Sequence, residues 1–282
     1  MVKKNIGAVI VSFNGFNTIE KTAKAVIDQV GEVVIVDNGS CDQTRKILKY
    51  LDKFENLKVI YLDTNVGIGA ALNIGIKHFD KKNIQWVLTL DQDSVISRKM
   101  IDEFISYKAR NQHIEMMSPV IQGLDSEISS DTEALVVITS GHLVKLSLIA
   151  FLGGYNEKLF IDSVDFDFCL TAALHGKITT KVKSATMIHQ LGEPLTKSPI
   201  LKKFYTNHSP LRRYYMSRNF VDLAVRFFLK FPVFILKLFA IHGLGLLSMC
   251  INGPNRFRSC IAVMLGIFDG VRSRLGPCIR DI

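Results

Sequence analysis

Gln85-Trp86-Val87-Leu88-Thr89-Leu90-Asp91-Gln92-Asp93-Ser94 is an apolar run that ends in two carboxylates one residue apart. A short apolar run of this kind reads as a buried strand. A strand ending in Asp-x-Asp presents both acids at the carboxyl edge of a sheet, where open α/β sheets bind ligands. Two hard oxygen donors there suit Mg²⁺ or Mn²⁺, ions that usually hold a substrate diphosphate as well. Taken alone, the pair fits a solvated turn equally well, so its meaning depends on the rest of the chain.

Working outward, segments 6–13, 33–37, 57–62 and 85–90 read as strands, and 17–29, 42–54, 67–79 and 97–111 as amphipathic helices between them. This βαβαβαβα order predicts a mostly parallel sheet with helices on both faces. Segments 114–120, 135–139 and 180–188 read as further strands, with a polar, acidic loop at 122–133. After about residue 199 the texture changes to helices at 210–230, 232–251 and 256–273, rich in Phe, Leu and Arg. The organisation expected is one α/β domain over 1–199, in two parts (1–119 and 120–199), followed by a helical region over 200–282.

The chain has 282 residues, 48% of them hydrophobic, and a net charge of +9. Residues 200–282 hold 13 Lys and Arg against three Asp, a net +10 that leaves residues 1–199 at −1. A tail both basic and apolar points to an anionic membrane surface. The neutral first part offers no extended basic groove for nucleic acid. The stretch of the tail without charge, 238–255, is shorter than the ~20 apolar residues of a spanning helix, so an interfacial or re-entrant segment is expected. Five scattered cysteines without a C-x-x-C pair read as reduced thiols of a cytosolic protein. The apolar N-terminal stretch reads as the first strand rather than a targeting segment.

Further residues gather at predicted strand ends. Asp37 closes a strand before Asn38-Gly39-Ser40, where it could accept from the ring N–H of a pyrimidine or belong to a turn that caps the next helix. Asn65-x-Gly67-x-Gly69-x₃-Asn73-x-Gly75 imitates a dinucleotide fingerprint. It follows the third strand rather than the first and its last glycine is misplaced, which argues against a nicotinamide cofactor. Small residues there admit a ligand or simply helix-to-sheet packing. Asp162, Asp165 and Asp167 stand among apolar residues at a helix start, which suits a general base for some and capping for others. His189 ends one more strand.

These motifs, with Val9-Ile10-Val11-Ser12-Phe13-Asn14 at the start, resemble family 2 glycosyltransferases of the GT-A fold, in order and spacing. Gly153-Gly154-Tyr155-Asn156-Glu157 through Cys169 is similar to the acceptor-side segment of that family. Pro210-Leu211-Arg212-Arg213-Tyr214-Tyr215-x₂-Arg218-Asn219 is similar to its rhamnosyltransferase branch. The resemblance implies an inverting transfer from a nucleotide sugar, dTDP-L-rhamnose by likeness to the branch, to a lipid-linked saccharide in O-antigen or other surface-polysaccharide synthesis. It implies donor contacts from Ser12, Asn14, Asp37, Asn65, Gly67, Asn73, Asp91, Arg212 and Arg218. It also implies a divalent ion, Mg²⁺ or Mn²⁺, on Asp93, Asp91 and His189. The base would be Asp165 or Asp162, since many relatives carry Glu-Asp where this chain has Val164-Asp165. The expected location is peripheral, on the cytoplasmic face of a bacterial inner membrane. A UDP- or GDP-sugar transferase, a sugar nucleotidyltransferase and an inactive membrane scaffold are the competing readings. The loop 12–17 lacks the basic residue of a nucleotidyltransferase, and three acids together argue against a scaffold. The oligomeric state is open.

Overall fold

The structure, a computed structural model, describes residues 1–189, 208–252 and 255–282. They divide into two compact units, one drawn from Met1–Glu157 and Val164–Gln190, the other from Lys158–Ser163 and Leu191–Ile282. The expected boundary at 199/200 lies outside the described residues.

The first unit opens with β1 (Ile6–Ser12), α1 (Ile19–Val26), β2 (Glu32–Asp37), α2 (Asp42–Leu51), β3 (Leu57–Tyr61), α3 (Ile68–Lys77) and β4 (Trp86–Asp91). β5 (Ser94–Ile96), α4 (Met100–Arg110), β6 (Met116–Ile121), β7 (Thr132–Ala134), β8 (His142–Lys145), α5 (Leu146–Leu152), α6 (Val164–Leu174) and β9 (Thr179–His189) follow. The strands form one sheet in the order β3-β2-β1-β4-β8-β6-β9-β5, with β7 on β9. β3, β2, β1 and β4 run parallel. β8 lies antiparallel between β4 and β6. The fold is α/β with a mostly parallel core.

Helices on both faces explain why β1, β2 and β4 are buried almost throughout. The helices contribute apolar stripes at helical spacing, Ile19, Ala23 and Val26 from α1 and Leu48 and Leu51 from α2. On the other face α3 seats on the sheet through Gly75, where an added Cβ would stand 2.5 Å from Val9 Cγ1 and 3.1 Å from Val36 Cγ2.

Two local expectations are corrected. Residues 135–139 are not a strand; the paired strands nearby are β7 and β8, on either side. Apolar residues here fill the interior without ladder pairing, as the buried Val137 does. The unforeseen β5 is three residues long, too short to leave a periodic signal.

The second unit contains α7 (Pro210–Phe227), α8 (Pro232–Asn252) and α9 (Arg256–Val271). α7 begins with Ser209 Oγ accepting from Arg212 N and with Pro210 in the first turn. α9 meets α7 through glycines: a Cβ on Gly270 would stand 2.7 Å from Arg218 O, and one on Gly266 would run into Tyr214 O. Asp269 accepts from Tyr214 Oη (2.9 Å) and from two Arg280 nitrogens (2.8 and 2.7 Å). The Arg280 guanidinium holds its carboxyl below the usual range. α8 has 21 residues, and its stretch Pro232–Cys250 is long and apolar enough, by length and composition, to cross a membrane. The expected shortfall is thereby corrected, because Lys237 lies within the helix without ending it.

His142 on β8 is fully buried, 3.1 Å from Thr179 Oγ1 and edge-on to Phe168. Burial pushes its pKa from 6.5 down to about 3. The unfolded chain therefore takes up the proton first, and stability present above pH 6.5 is lost as pH falls toward 3. Denaturant titrations should show a loss of about 2 kcal/mol between pH 6.5 and 4.5 from this group, and His142→Gln should flatten that slope.

Candidate active site

The parallel registers bring three strand ends to one edge. Ser12 pairs with Asp37 across β1–β2, and Val11 with Asp91 across β1–β4. This is the carboxyl edge to which the sequence assigned the chemistry. Asp91 N donates to Ser140 Oγ at 3.0 Å, which fixes the backbone where the chain leaves β4.

The second acid acquires its neighbour through the sheet. β5 starts one residue after Asp93 and runs antiparallel to β9, with Ser94 opposite His189. Ligand atoms of Asp91, Asp93 and His189 all lie within 4.8 Å of one another. His189 Nδ1 is 3.5 Å from Asp93 Oδ1 and 2.7 Å from Ser94 Oγ, and Ser140 Oγ is 2.6 Å from Ser94 Oγ. The hydroxyl on Nδ1 fixes the orientation of the ring. Asp93 Oδ1 is buried and has no hydrogen-bond partner among the described residues. A buried carboxylate oxygen without a donor is costly. Its position beside a second carboxylate and an imidazole is what a divalent ion requires, so this donor set fits Mg²⁺ or Mn²⁺.

Around this group, polar side chains tie the turns together. Gln92, between the two acids, accepts from Phe13 N and Ser12 Oγ through Oε1, and donates to Phe13 O. Asn14, at φ 54°, accepts from Cys41 N through Oδ1 and donates its N–H to Ser40 Oγ. Asn65 Oδ1 accepts from Gly67 N and Asn38 Nδ2.

Several expected donor contacts are placed otherwise. Asn65 holds its own turn. Asn73 Nδ2 donates to Tyr155 O and Glu157 Oε1 while its Oδ1 accepts from Tyr155 N, so it anchors the Gly153-Gly154-Tyr155 turn. Gly67, at φ 90°, supplies the left-handed backbone before α3. Gly69 lies against Asn156 O, where an added Cβ would stand 2.8 Å away. Asp37 is fully buried; its Oδ1 accepts from Ser40 N and its Oδ2 from Arg45 Nε at 3.0 Å. The open carboxylate expected there is a closed ion pair. Arg45, which the sequence reading did not single out, is the partner of Asp37 at this strand end. Its signal is its place one turn beyond Cys41 on α2, which returns its guanidinium to the strand end.

Among the three acids of the next segment, Asp165 and Asp167 stand in the first turn of α6. Asp165 Oδ1 accepts from Phe166 N. Asp167 is buried and lies 3.4 Å from Asn156 Nδ2. It lines a cavity of about 200 Å³ with Gly153, Gly154, Tyr155 and Phe168. Within the second unit, Asp162 is bound by Arg212, with contacts of 2.9 to 3.3 Å from Nε and Nη2. Arg218, expected on the diphosphate, is 1% exposed and donates to the carbonyls of Gly276 and Leu159. Its forked donors are taken up by backbone carbonyls.

A family model described as "Glycosyl transferase family 2" matches residues 8–152. The dTDP-rhamnosyl transferase RfbF of Shigella flexneri is 31% identical over 244 residues, covering 77% of this chain and 79% of that protein. The putative teichuronic acid biosynthesis glycosyltransferase TuaG of Bacillus subtilis is 30% identical over 109 residues, 37% of this chain and 42% of that one. Among solved structures, GalNAc-T7 with UDP, GalNAc and Mn²⁺ superposes with a TM-score of 0.61 at 16% identity, over 78% of this chain and 47% of that one. S. aureus TarS 1–349 gives 0.55 at 15% identity, over 95% and 72%. These likenesses identify the sheet and its helices as a GT-A arrangement.

Calorimetric titration should detect Mn²⁺ binding to the intact chain and its loss in Asp93→Ala. Ser94→Ala should weaken it about tenfold by releasing the imidazole. Equal affinity in all three proteins would remove the ion from this site.

Proposed function

This chain belongs to glycosyltransferase family 2, and on that premise we propose that it is an inverting enzyme that moves L-rhamnose from dTDP-L-rhamnose to an acceptor hydroxyl. The observation that carries the reading is the orphaned Asp93 carboxylate oxygen, set with Asp91 and His189 at the carboxyl edge of the parallel sheet. Likeness to RfbF over most of both chains supports rhamnose as the sugar.

Asp91, Asp93 and His189 would hold Mg²⁺ or Mn²⁺, which when bound neutralises charge on a departing diphosphate. At the nucleotide end, the base is read by the Asp37–Arg45 pair rather than by Asp37 alone, with Ser12 and Asn14 shaping the turn beside it. The acceptor oxygen attacks the anomeric carbon as the bond from that carbon to the diphosphate oxygen breaks. The bonding pair leaves with the nucleoside diphosphate, and Asp165 takes the hydroxyl proton. A single displacement inverts the configuration. Asp165, in the first turn of α6, is the base of this reading, with Asp162, which holds the bidentate Arg212 fork, as the alternative.

The acceptor is a lipid-linked saccharide of surface-polysaccharide synthesis, O-antigen included, met at the cytoplasmic face of a bacterial inner membrane. The +10 charge of residues 200–282 supports this. So do the exposed Val233, Leu236 and Phe239 of α8 and Phe257 and Met264 of α9.

Nucleoside diphosphate release should be followed over a panel of dTDP-, UDP- and GDP-sugars with and without Mn²⁺. Turnover should be greatest with dTDP-L-rhamnose and fall at least 10²-fold in Asp93→Ala. Asp165→Asn should lower transfer by about 10²- to 10⁴-fold. Selective use of a UDP- or GDP-sugar would keep the mechanism and discard rhamnose; activity that survives in Asp93→Ala would discard the site.

Binding to anionic vesicles should weaken about 100-fold or more when Lys230, Lys237 and Arg258 are all changed to Glu, at about 1 kcal/mol per basic residue. Unchanged co-sedimentation would sink the membrane assignment.

A further inference from the structure

Two buried polar side chains of α7 serve none of the steps above. Arg218 Nη1 donates to Gly276 O at 2.5 Å and Nη2 to Leu159 O at 2.9 Å and Lys158 O at 3.4 Å. Its Nε donates to Asn219 Oδ1 at 3.0 Å, and its guanidinium lies 4.8 Å from the centre of the Tyr215 ring. Asn219, 0% exposed, directs its amide at three carbonyls, those of Leu159 (2.9 Å), Ile161 (2.8 Å) and Asp162 (2.9 Å). Arg212, two turns before Asn219, binds the Asp162 carboxylate. Lys158–Ser163 is thus gripped at four of its six carbonyls and at one side chain.

The gripped segment is strained. Phe160, Asp162 and Ser163 have φ of 65°, 64° and 64°, and none is glycine. L-residues adopt this conformation at a cost, and it persists only where the surroundings over-determine it. The residue after Ser163 is Val164, the first of α6, and the next is Asp165.

We propose that Arg218 and Asn219 are positioning residues that hold Lys158–Ser163 on its left-handed path and so fix the first turn of α6, on which Asp165 stands. The inference rests on the reading of Asp165 as the base. It gives the C-terminal helices a part in catalysis besides any contact with lipid.

The test uses the full chain and compares wild type, Asn219→Ala, Arg218→Lys and the double variant Asn219→Ala with Ser163→Gly. Hydrogen exchange is read by peptide, and dTDP release from dTDP-L-rhamnose with Mn²⁺ is read as kcat and KM. In Asn219→Ala, exchange over residues 159–167 should rise at least tenfold while α7 and α9 stay protected. kcat should fall about tenfold with donor KM within twofold of wild type. Ser163→Gly should restore much of both, because glycine takes the left-handed path without strain. Arg218→Lys, which keeps one donor of the fork, should show a smaller rise of the same kind. Unchanged exchange over 159–167 in Asn219→Ala overturns the proposal. Loss of protection throughout α7 and α9, with no recovery in the double variant, also overturns it by reducing the pair to core residues. A wild-type rate in Asp165→Asn would remove the base reading alone, with exchange still deciding the clamp.

Discussion

One cross-strand pair, Ser94 opposite His189, underlies the site. A slip of one residue turns every side chain of a strand to the other face of its sheet. Only the observed register brings the imidazole to Asp93 and the Ser94 hydroxyl to Nδ1. The parallel half of the sheet could deliver Asp91 unaided, because β4 ends there. The histidine of the proposed set comes from β9, beyond the antiparallel β8, at the far side of the sheet from β1 and β2. The proposed metal-ligand set is therefore a product of mixed sheet topology, with carboxylates from the parallel side and the ring from the last strand.

The polar residues at this edge divide into two groups by what satisfies them. Asn14, Asn38 and Asn65 accept backbone N–H groups from the turns beyond the strands, and Asn73, on α3, accepts that of Tyr155. Loop backbone that is partly buried must find partners, and short amides supply them. Asp93 differs because one of its oxygens is buried without such a partner. On the proposed reading the same strand-end location serves two needs, and hydrogen-bond satisfaction separates residues that build the edge from those proposed to face a ligand.

This division also explains how far the sequence could be read. The parallel core was legible because its strands are continuous apolar runs and its helices carry stripes at helical spacing. Asp91, Asp93 and His189 were legible as acids and an imidazole at strand ends, even though β5, which unites them, was too short to see. Asn65, Asn73, Gly67 and Arg218 were assigned to the donor by resemblance. The contacts they make within the protein were not legible, because a turn-forming Asn and a ligand-binding Asn look identical in one dimension and a guanidinium fork suits backbone carbonyls as well as phosphate oxygens. The Arg45–Asp37 pair was overlooked because it joins a strand end to the next helix.

The segment 158–163 poses a sharper question, since glycine at its left-handed positions would relieve the backbone. The side chains there give the reason against it. Phe160 stacks on Tyr215 with centroids 5.0 Å apart and planes at 15°, and Asp162 receives the Arg212 fork. A glycine at either position would ease the local conformation and delete the contact that holds it. The strain and its anchors are therefore carried by the same residues. Gly266 and Gly270 complete the arrangement from the other side, because their missing Cβ atoms let α9 approach the α7 backbone at Tyr214 and Arg218. Close helix packing keeps Arg218 and Asn219 out of water, where hydrogen bonds to carbonyls are not in competition with solvent. The basic, apolar tail thus packs through its first and last helices, and α7 carries the donors that hold residues 158–163.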